Sequence, residues 1–268
     1  MIKGTKQAMS VMHRLGAIVL SMVILTGASM SVSADEADAK RLLKAMSDYM
    51  GAQKNISFDY DAILEIVTVD GEMLALASSG AVTLNRPDKI HATRHGGFAD
   101  VEMSFDGKTL TVLGKNLNVY AQEEIPGTVD QLAGELRLKY DRPLPAEDLL
   151  LADAYDALML DVVEVKDLGS GVISGVECDY LAFRAKEVDW QIWIAHGKRP
   201  YPCRFVITSK LVAGAPHYSV QIRNWKTGDA VAATDFSFRN RTKAEKVDLD
   251  KLRGADEMPT HFATGESK

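Results

Sequence analysis

The chain has 268 residues, 46% of them apolar, enough for a sizeable core and too many for global disorder. Its 31 Lys and Arg against 37 Asp and Glu give a net charge of −6. Such a balance repels phosphate backbones and argues against nucleic acid as a partner, although Lys198, Arg199 and Arg204 cluster locally.

The N-terminus carries an export signature. Lys3, Lys6 and Arg14 form a basic region, Leu15 to Leu25 is an apolar run interrupted by Ser21, and Val32-Ser33-Ala34 suits cleavage after Ala34. The alternative is a membrane anchor, but the run is about half the ~20 residues that a span needs. Residues 1–34 are therefore expected to be a signal peptide, residues 35–259 one domain, and residues 260–268 a flexible polar tail. Cleavage would remove three basic residues and leave 28 against 37 acidic ones, in a periplasmic chain that does not itself span the membrane. No cysteine precedes Cys178, so an N-terminal lipid anchor is not expected.

Asp35 to Ala52 has a helical stripe of Ala39, Leu42, Leu43, Met46, Tyr49 and Met50, with Asp35 as its cap and Gly51 near its end. Strands follow. Ile56 to Ile66 alternates with a period of two, and Asp70-Gly71 is a hairpin turn. Met73 to Leu84, Lys89 to Arg94, Phe98 to Phe105, Thr109 to Leu113 and Leu117 to Ala121 complete a six-stranded meander. The pattern then turns helical, at Val129 to Tyr140 and again at Leu149 to Leu160. These pieces would form either a lid over the sheet or a connector packed on it. Strands resume at Val162 to Leu168, with Gly169-Ser170-Gly171 as a turn, then at Glu177 to Arg184, Val188 to Ala195, Pro202 to Leu211 and His217 to Trp225. Asp235 to Arg239 is a short candidate last strand. The fold class is mainly antiparallel β with helices, α+β, as an open sheet of about eleven strands.

Recognisable catalytic chemistry is missing from the pattern. His91 and His95 sit in a strand, about 13 Å apart, too far to share one ion, and no His-Glu-x-x-His is present. There is no Gly-x-Ser-x-Gly elbow and no phosphate-cradling glycine loop. Asp59, Asp61 and Glu65 fall on the outer parity of the first strand, as a solvated face would. No metal, cofactor or catalytic residue is expected. Two cysteines in an exported chain favour a Cys178–Cys203 disulfide over two free buried thiols.

The hairpin from Asp189 to Lys210 organises the second half, with Trp190, Ile192 and Ile194 on one parity and Cys203, Phe205 and Ile207 alternating after the turn. Around it lie Gly175-Val176-Glu177-Cys178-Asp179-Tyr180-Leu181-Ala182-Phe183, Asp189-Trp190-Gln191-Ile192-Trp193-Ile194, Pro200, Pro202-Cys203-Arg204, Pro216, Tyr218 and Trp225. With these residues, and an order of helix, six strands, helices and five strands, the chain resembles a family of predicted periplasmic proteins of unknown function. That family lies within the lipoprotein-carrier superfamily typified by LolA and LolB. The chain departs from the family at Phe236-Ser237-Phe238-Arg239-Asn240, where two prolines usually follow the second Phe. The resemblance implies a LolA-like half-barrel with a central helical lid and, in relatives that carry lipid, an apolar cavity.

The expected function is a non-enzymatic periplasmic binding or carrier protein for a hydrophobic ligand: an acyl chain, a lipid or a lipoprotein. The alternative is a lipid- or envelope-stress sensor that passes its signal to a membrane-anchored partner protein; a hydrolase comes third. Phe58, Tyr60, Leu64, Trp190, Ile192 and Phe205 are the candidate cavity-lining residues. A core closed by Leu and Met from the helices, with no cavity, is the competing possibility.

Overall fold

The computed structural model describes residues 32–97, 99–140 and 146–252. Most of the expected signal peptide and the whole expected tail lie outside the described residues. Helix α1 runs from Val32 to Ala52, so it starts before Asp35, which stands in its first turn rather than capping it. Ala39, Leu43, Met46 and Met50 are buried along one side. Ion pairs Glu36–Lys40 and Asp48–Lys44 occupy the opposite, wet side.

Strands β1 (Asn55–Val67), β2 (Met73–Asn85), β3 (Lys89–Gly96), β4 (Asp100–Phe105), β5 (Thr109–Gly114) and β6 (Val119–Glu124) follow as an antiparallel meander. Gly71 takes φ +80° in the first turn, a conformation costly for any side chain. Helix α2 (Val129–Leu138) opens on a capping box, in which Thr128 accepts from the Gln131 amide and the Gln131 side chain reaches back to the Thr128 amide. A short 3₁₀ turn, Glu147–Leu150, leads to α3 (Ala154–Met159), capped by Asp153. The helical stretch expected from Leu149 to Leu160 is thus two pieces, because Asp153 offers its carboxylate to the Asp156 amide and restarts the helix there.

Strands β7 (Val162–Ile173), β8 (Val176–Ala185), β9 (Val188–Ala195), β10 (Pro202–Ser209) and β11 (His217–Thr227) form a second meander. Gly169-Ser170-Gly171 is not the turn that its composition suggests. The strand continues through it with a bulge between Asp167 and Ser170, where Gly169 has φ +83°. The chain turns instead at Ser174-Gly175, both with positive φ, as a tight two-residue hairpin requires. Asp235 to Arg239 is not a strand either: the Asp235 carboxylate accepts from the amide and hydroxyl of Ser237 and bends the chain. The last strand is β12 (Glu245–Lys246), two residues paired parallel to β6.

The two meanders join through β1 and β11 into one twelve-stranded sheet, ordered β12-β6-β5-β4-β3-β2-β1-β11-β10-β9-β8-β7. All but one of its pairings are antiparallel, and right-handed twist curls the sheet into an open half-barrel with α1 and the central helices on its inner side.

The expected disulfide is absent. Cys178 and Cys203 are both free, buried in a small cluster with Ala195. Cys178 pairs with Ala195 on one side of β9, while Cys203 belongs to β10 on the other side. Backbones two strands apart stand about twice the ~4.8 Å strand spacing from each other, beyond the ~7 Å between Cα atoms that a disulfide bridges. Each thiol instead donates to the backbone carbonyl two residues before it, Cys178 to Val176 at 3.4 Å and Cys203 to Tyr201 at 4.0 Å. Burial raises the pKa of both above the ordinary value, most strongly that of Cys203.

Candidate functional site

Hairpin register places the inner-face residues in rows across the strands. Ile56, Leu84, Ile90, Phe105 and Leu110 form the innermost row and are almost fully buried. Next come Phe58, Val82, Ala92, Met103 and Val112, then Tyr60, Gly80, Arg94, Val101 and Gly114. Ala62, Ser78 and Gly96 follow, and Leu64 faces Leu76 and Tyr218 beyond them.

Helix α1 packs against β7 and β9 and against α3, so it fills the inner face of the second meander. The inner face of the first meander keeps its space. A cavity of about 710 Å³ lies there. This is within the roughly 300–1,000 Å³ of small-molecule sites. Phe58, Val82, Ala92, Met103 and Val112 form its apolar wall, and Val220 and Ile222 extend that wall onto β11. Met50, at the end of α1, also reaches it.

The central helical stretch is its roof. Leu136 of α2 and Ala146, Leu149 and Leu150 around the 3₁₀ turn line the cavity from above. Several polar contacts tie this roof down. The Arg86 guanidinium donates to the Leu150 carbonyl at 2.8 Å and to Leu151 at 3.2 Å. The Val129 amide donates to the Pro87 carbonyl at 2.9 Å, and the Tyr155 amide to the Ser47 hydroxyl at 2.9 Å. Within the roof, Arg137 pairs with the buried Glu147 and with Asp148. Gly51 is required where α1 meets this stretch, because a Cβ there would stand 2.6 Å from the Ala152 carbonyl oxygen.

Leu64 lines the cavity yet is 44% exposed, which marks the mouth at the Leu64–Leu76 row. Small residues, Ala77, Ser78, Gly96, Gly97 and Ala99, share that rim. The polar groups of the wall are few. The Tyr60 hydroxyl crosses Gly80 and donates to the Thr93 carbonyl at 2.9 Å. A Cβ on Gly80 would stand 1.9 Å from that carbonyl oxygen and 2.6 Å from the hydroxyl, so this crossing needs glycine. Burial raises the pKa of both Tyr60 and Tyr218, while the nearby charge of Arg94 pulls the other way. Both phenols are neutral at physiological pH. Arg94 is the one charged side chain among the described residues of the wall. No group of three or more His, Cys, Asp or Glu that could hold a metal ion occurs among the described residues. His91 and His95 instead face Glu102 and Asp100 across β3 and β4, at 3.2 and 3.0 Å.

The chain from residue 39 to 250 matches the family model described as "Predicted periplasmic protein (DUF2092)". The chain belongs to this family. A periplasmic location follows from that membership, and no helix among the described residues is long and apolar enough to cross a membrane. No curated protein sequence matches this DUF2092 chain. Among solved structures, it is similar to the Mycobacterium tuberculosis lipoprotein LppX, at 13% identity and TM-score 0.42, over 75% of this chain and all of that one. It is similar to a Pseudomonas aeruginosa MucA/MucB complex structure, at 14% identity and TM-score 0.44, over 78% of this chain and 63% of that one. It is also similar to an uncharacterized conserved protein of Thermus thermophilus, at 10% identity and TM-score 0.46, over 79% of this chain and 99% of that one.

In this DUF2092 chain, the six lining residues expected from the sequence divide evenly. Phe58, Tyr60 and Leu64 line the cavity. Trp190, Ile192 and Phe205 share the inner face but are 4%, 0% and 2% exposed, and they are absent from the cavity wall. Trp190 stacks on Phe183 at 3.8 Å between ring centres and tilts against Phe205 at 5.7 Å, within the half that α1 covers. Alternation assigns a face; it does not say which part of that face a helix will occupy. Sequence reasoning missed Val82, Met103, Arg94 and Tyr218. Counting outward from the Asp70-Gly71 turn pairs Tyr60 with Gly80, and counting from Pro87 pairs Gly80 with Arg94, so the hairpin turns held that signal.

Proposed function

We propose that this DUF2092 protein is a non-catalytic periplasmic binding or carrier protein that shelters a hydrophobic ligand between sheet and roof. The single observation that carries this reading is the 710 Å³ apolar cavity with an exposed-leucine mouth. Each buried methylene of an alkyl chain contributes ~0.8 kcal/mol, so a long chain offsets the cost of partly lifting the roof. An acyl chain, a lipid or the acyl part of a lipoprotein all fit that chemistry. The ends of the chain fit export: residues 1–34 as a signal peptide and residues 35–259 as the working domain.

Native mass spectrometry of protein purified gently from the periplasm tests this. A bound mass that organic extraction removes and identifies as acyl-containing is the expected result. Unliganded protein that also refuses lipid added afterwards would refute it. Ligand-dependent capture of a membrane-anchored protein would shift the role from carriage to sensing.

A further inference from the structure

The wall of the cavity is not uniformly apolar, and its one polar sector is directional. Arg94 stands in the row between the apolar wall and the small-residue rim, on the inner face of β3. Tyr60 shares its row, two strands away across Gly80. Tyr218 lines the cavity from β11, and its hydroxyl has no hydrogen-bond partner among the described residues. No Asp or Glu among the described residues lines the space.

These placements select among hydrophobic ligands. A quaternary ammonium would be repelled by the Arg94 charge and would meet no acidic side chain on the described wall. An anion entering the same space gains a guanidinium, whose planar donors match carboxylate and phosphate oxygens, and a phenolic donor from Tyr218. The Tyr60 proton is already directed at Thr93, so that phenol helps chiefly by fixing the geometry of the row. Beyond Arg94, away from the mouth, the wall is Phe58, Val82, Ala92, Met103 and Val112, which suits a hydrocarbon tail. A volume in the range of drug-sized ligands accommodates one chain more readily than several.

We infer that the cavity takes a single-chain amphiphile with an anionic end group, its tail on the Phe58–Val112 row and its charge at Arg94 and Tyr218. This rests on the hydrophobic-ligand reading above and narrows it to one ligand class. A free fatty acid and an alkyl phosphate share the required chemistry.

The test uses the mature protein and the neutral fluorescent probe N-phenyl-1-naphthylamine, displaced below their aggregation limits by four compounds that each carry one sixteen-carbon chain. These are hexadecanoate, hexadecyl phosphate, hexadecanol and hexadecyltrimethylammonium. Hexadecanoate or hexadecyl phosphate should displace the probe at a concentration about tenfold or more below that of hexadecanol, as for loss of a charge-assisted bond. The ammonium compound should be weakest, and the order of the two anions tells carboxylate from phosphate. Arg94→Leu should erase the preference while probe binding persists, and Arg94→Lys should keep part of it. Should Arg94→Leu fail to fold, the wild-type ranking and Arg94→Lys decide alone. Equal displacement by the anions and the alcohol would overturn the inference and leave the cavity reading standing. Absence of probe binding to the wild type would overturn both.

Discussion

Gly80 shows how one missing side chain shapes the wall. Because its Cβ would collide with the Thr93 backbone oxygen at 1.9 Å, Gly80→Ala must push β2 from β3 or expel the Tyr60 ring. The expected cost is about 2–4 kcal/mol, read as a fall in thermal midpoint. Adding Tyr60→Phe should not restore it, since the closest clash is with backbone. At the mouth, Leu64→Arg should leave the fold intact, because the residue is 44% exposed, yet block uptake of N-phenyl-1-naphthylamine. Unchanged uptake would show that the ligand path lies elsewhere. The two thiols give a third check. Native protein should resist alkylation, because Cys178 and Cys203 are buried and their pKa values are raised, and unfolding without reductant should release two reactive thiols. Release of none would restore the disulfide expected from composition. That expectation failed because compartment and count say nothing about strand β9 standing between the partners.

Most of the elements were legible in the sequence, and the reasons differ between them. Strands β1, β9 and β11 declare themselves by alternation, since one face is wet and the other buried. Helix α2 declares itself by Thr128 and Gln131 before an apolar stripe. The misplaced turn at Gly169 to Gly171 has a physical cause: glycine serves a bulge as readily as a turn, and only pairing with β8 decides between them. The strand β12 was illegible because two residues carry no period. At this scale the roof invites its own experiment. Glu147 is 4% exposed, so Arg137→Ala leaves a buried carboxylate without that guanidinium. Arg137 is itself half exposed, which trims the expected loss to about 1–3 kcal/mol, with faster release of bound probe. The outer face of β3 to β5 makes a pH prediction. Burial alone would raise the Glu102 carboxyl, but hydrogen bonds from His91 and Lys115 outweigh it and lower its pKa below the ordinary value. Its contribution to stability is therefore complete above about pH 4.3 and is lost as pH falls through the depressed value. Glu102→Gln should lower stability at neutral pH and flatten the acid limb of the stability profile. Identical acid limbs would remove Glu102 from the account.

At the scale of the molecule, one curled sheet is used in two ways. Its second meander is closed by α1 and by the stacked rings of Phe183 and Trp190, and it supplies the stable core. Its first meander is roofed but unfilled, and the proposed binding role rests on that asymmetry. The sequence showed an apolar inner face of the right parity without showing how the helix would divide it, since helix placement depends on packing across distant segments. The central claim is that the space on the first meander is vacant and holds hydrocarbon. Ala92→Trp, which adds an indole to the middle of the cavity wall, tests it most directly. Titration with N-phenyl-1-naphthylamine should give saturable binding near one per wild-type chain, and the filled variant should lose it while retaining its thermal midpoint. Equal probe binding by the two proteins, or a large loss of stability on filling, would mean that the space is not where the ligand goes or is not space at all.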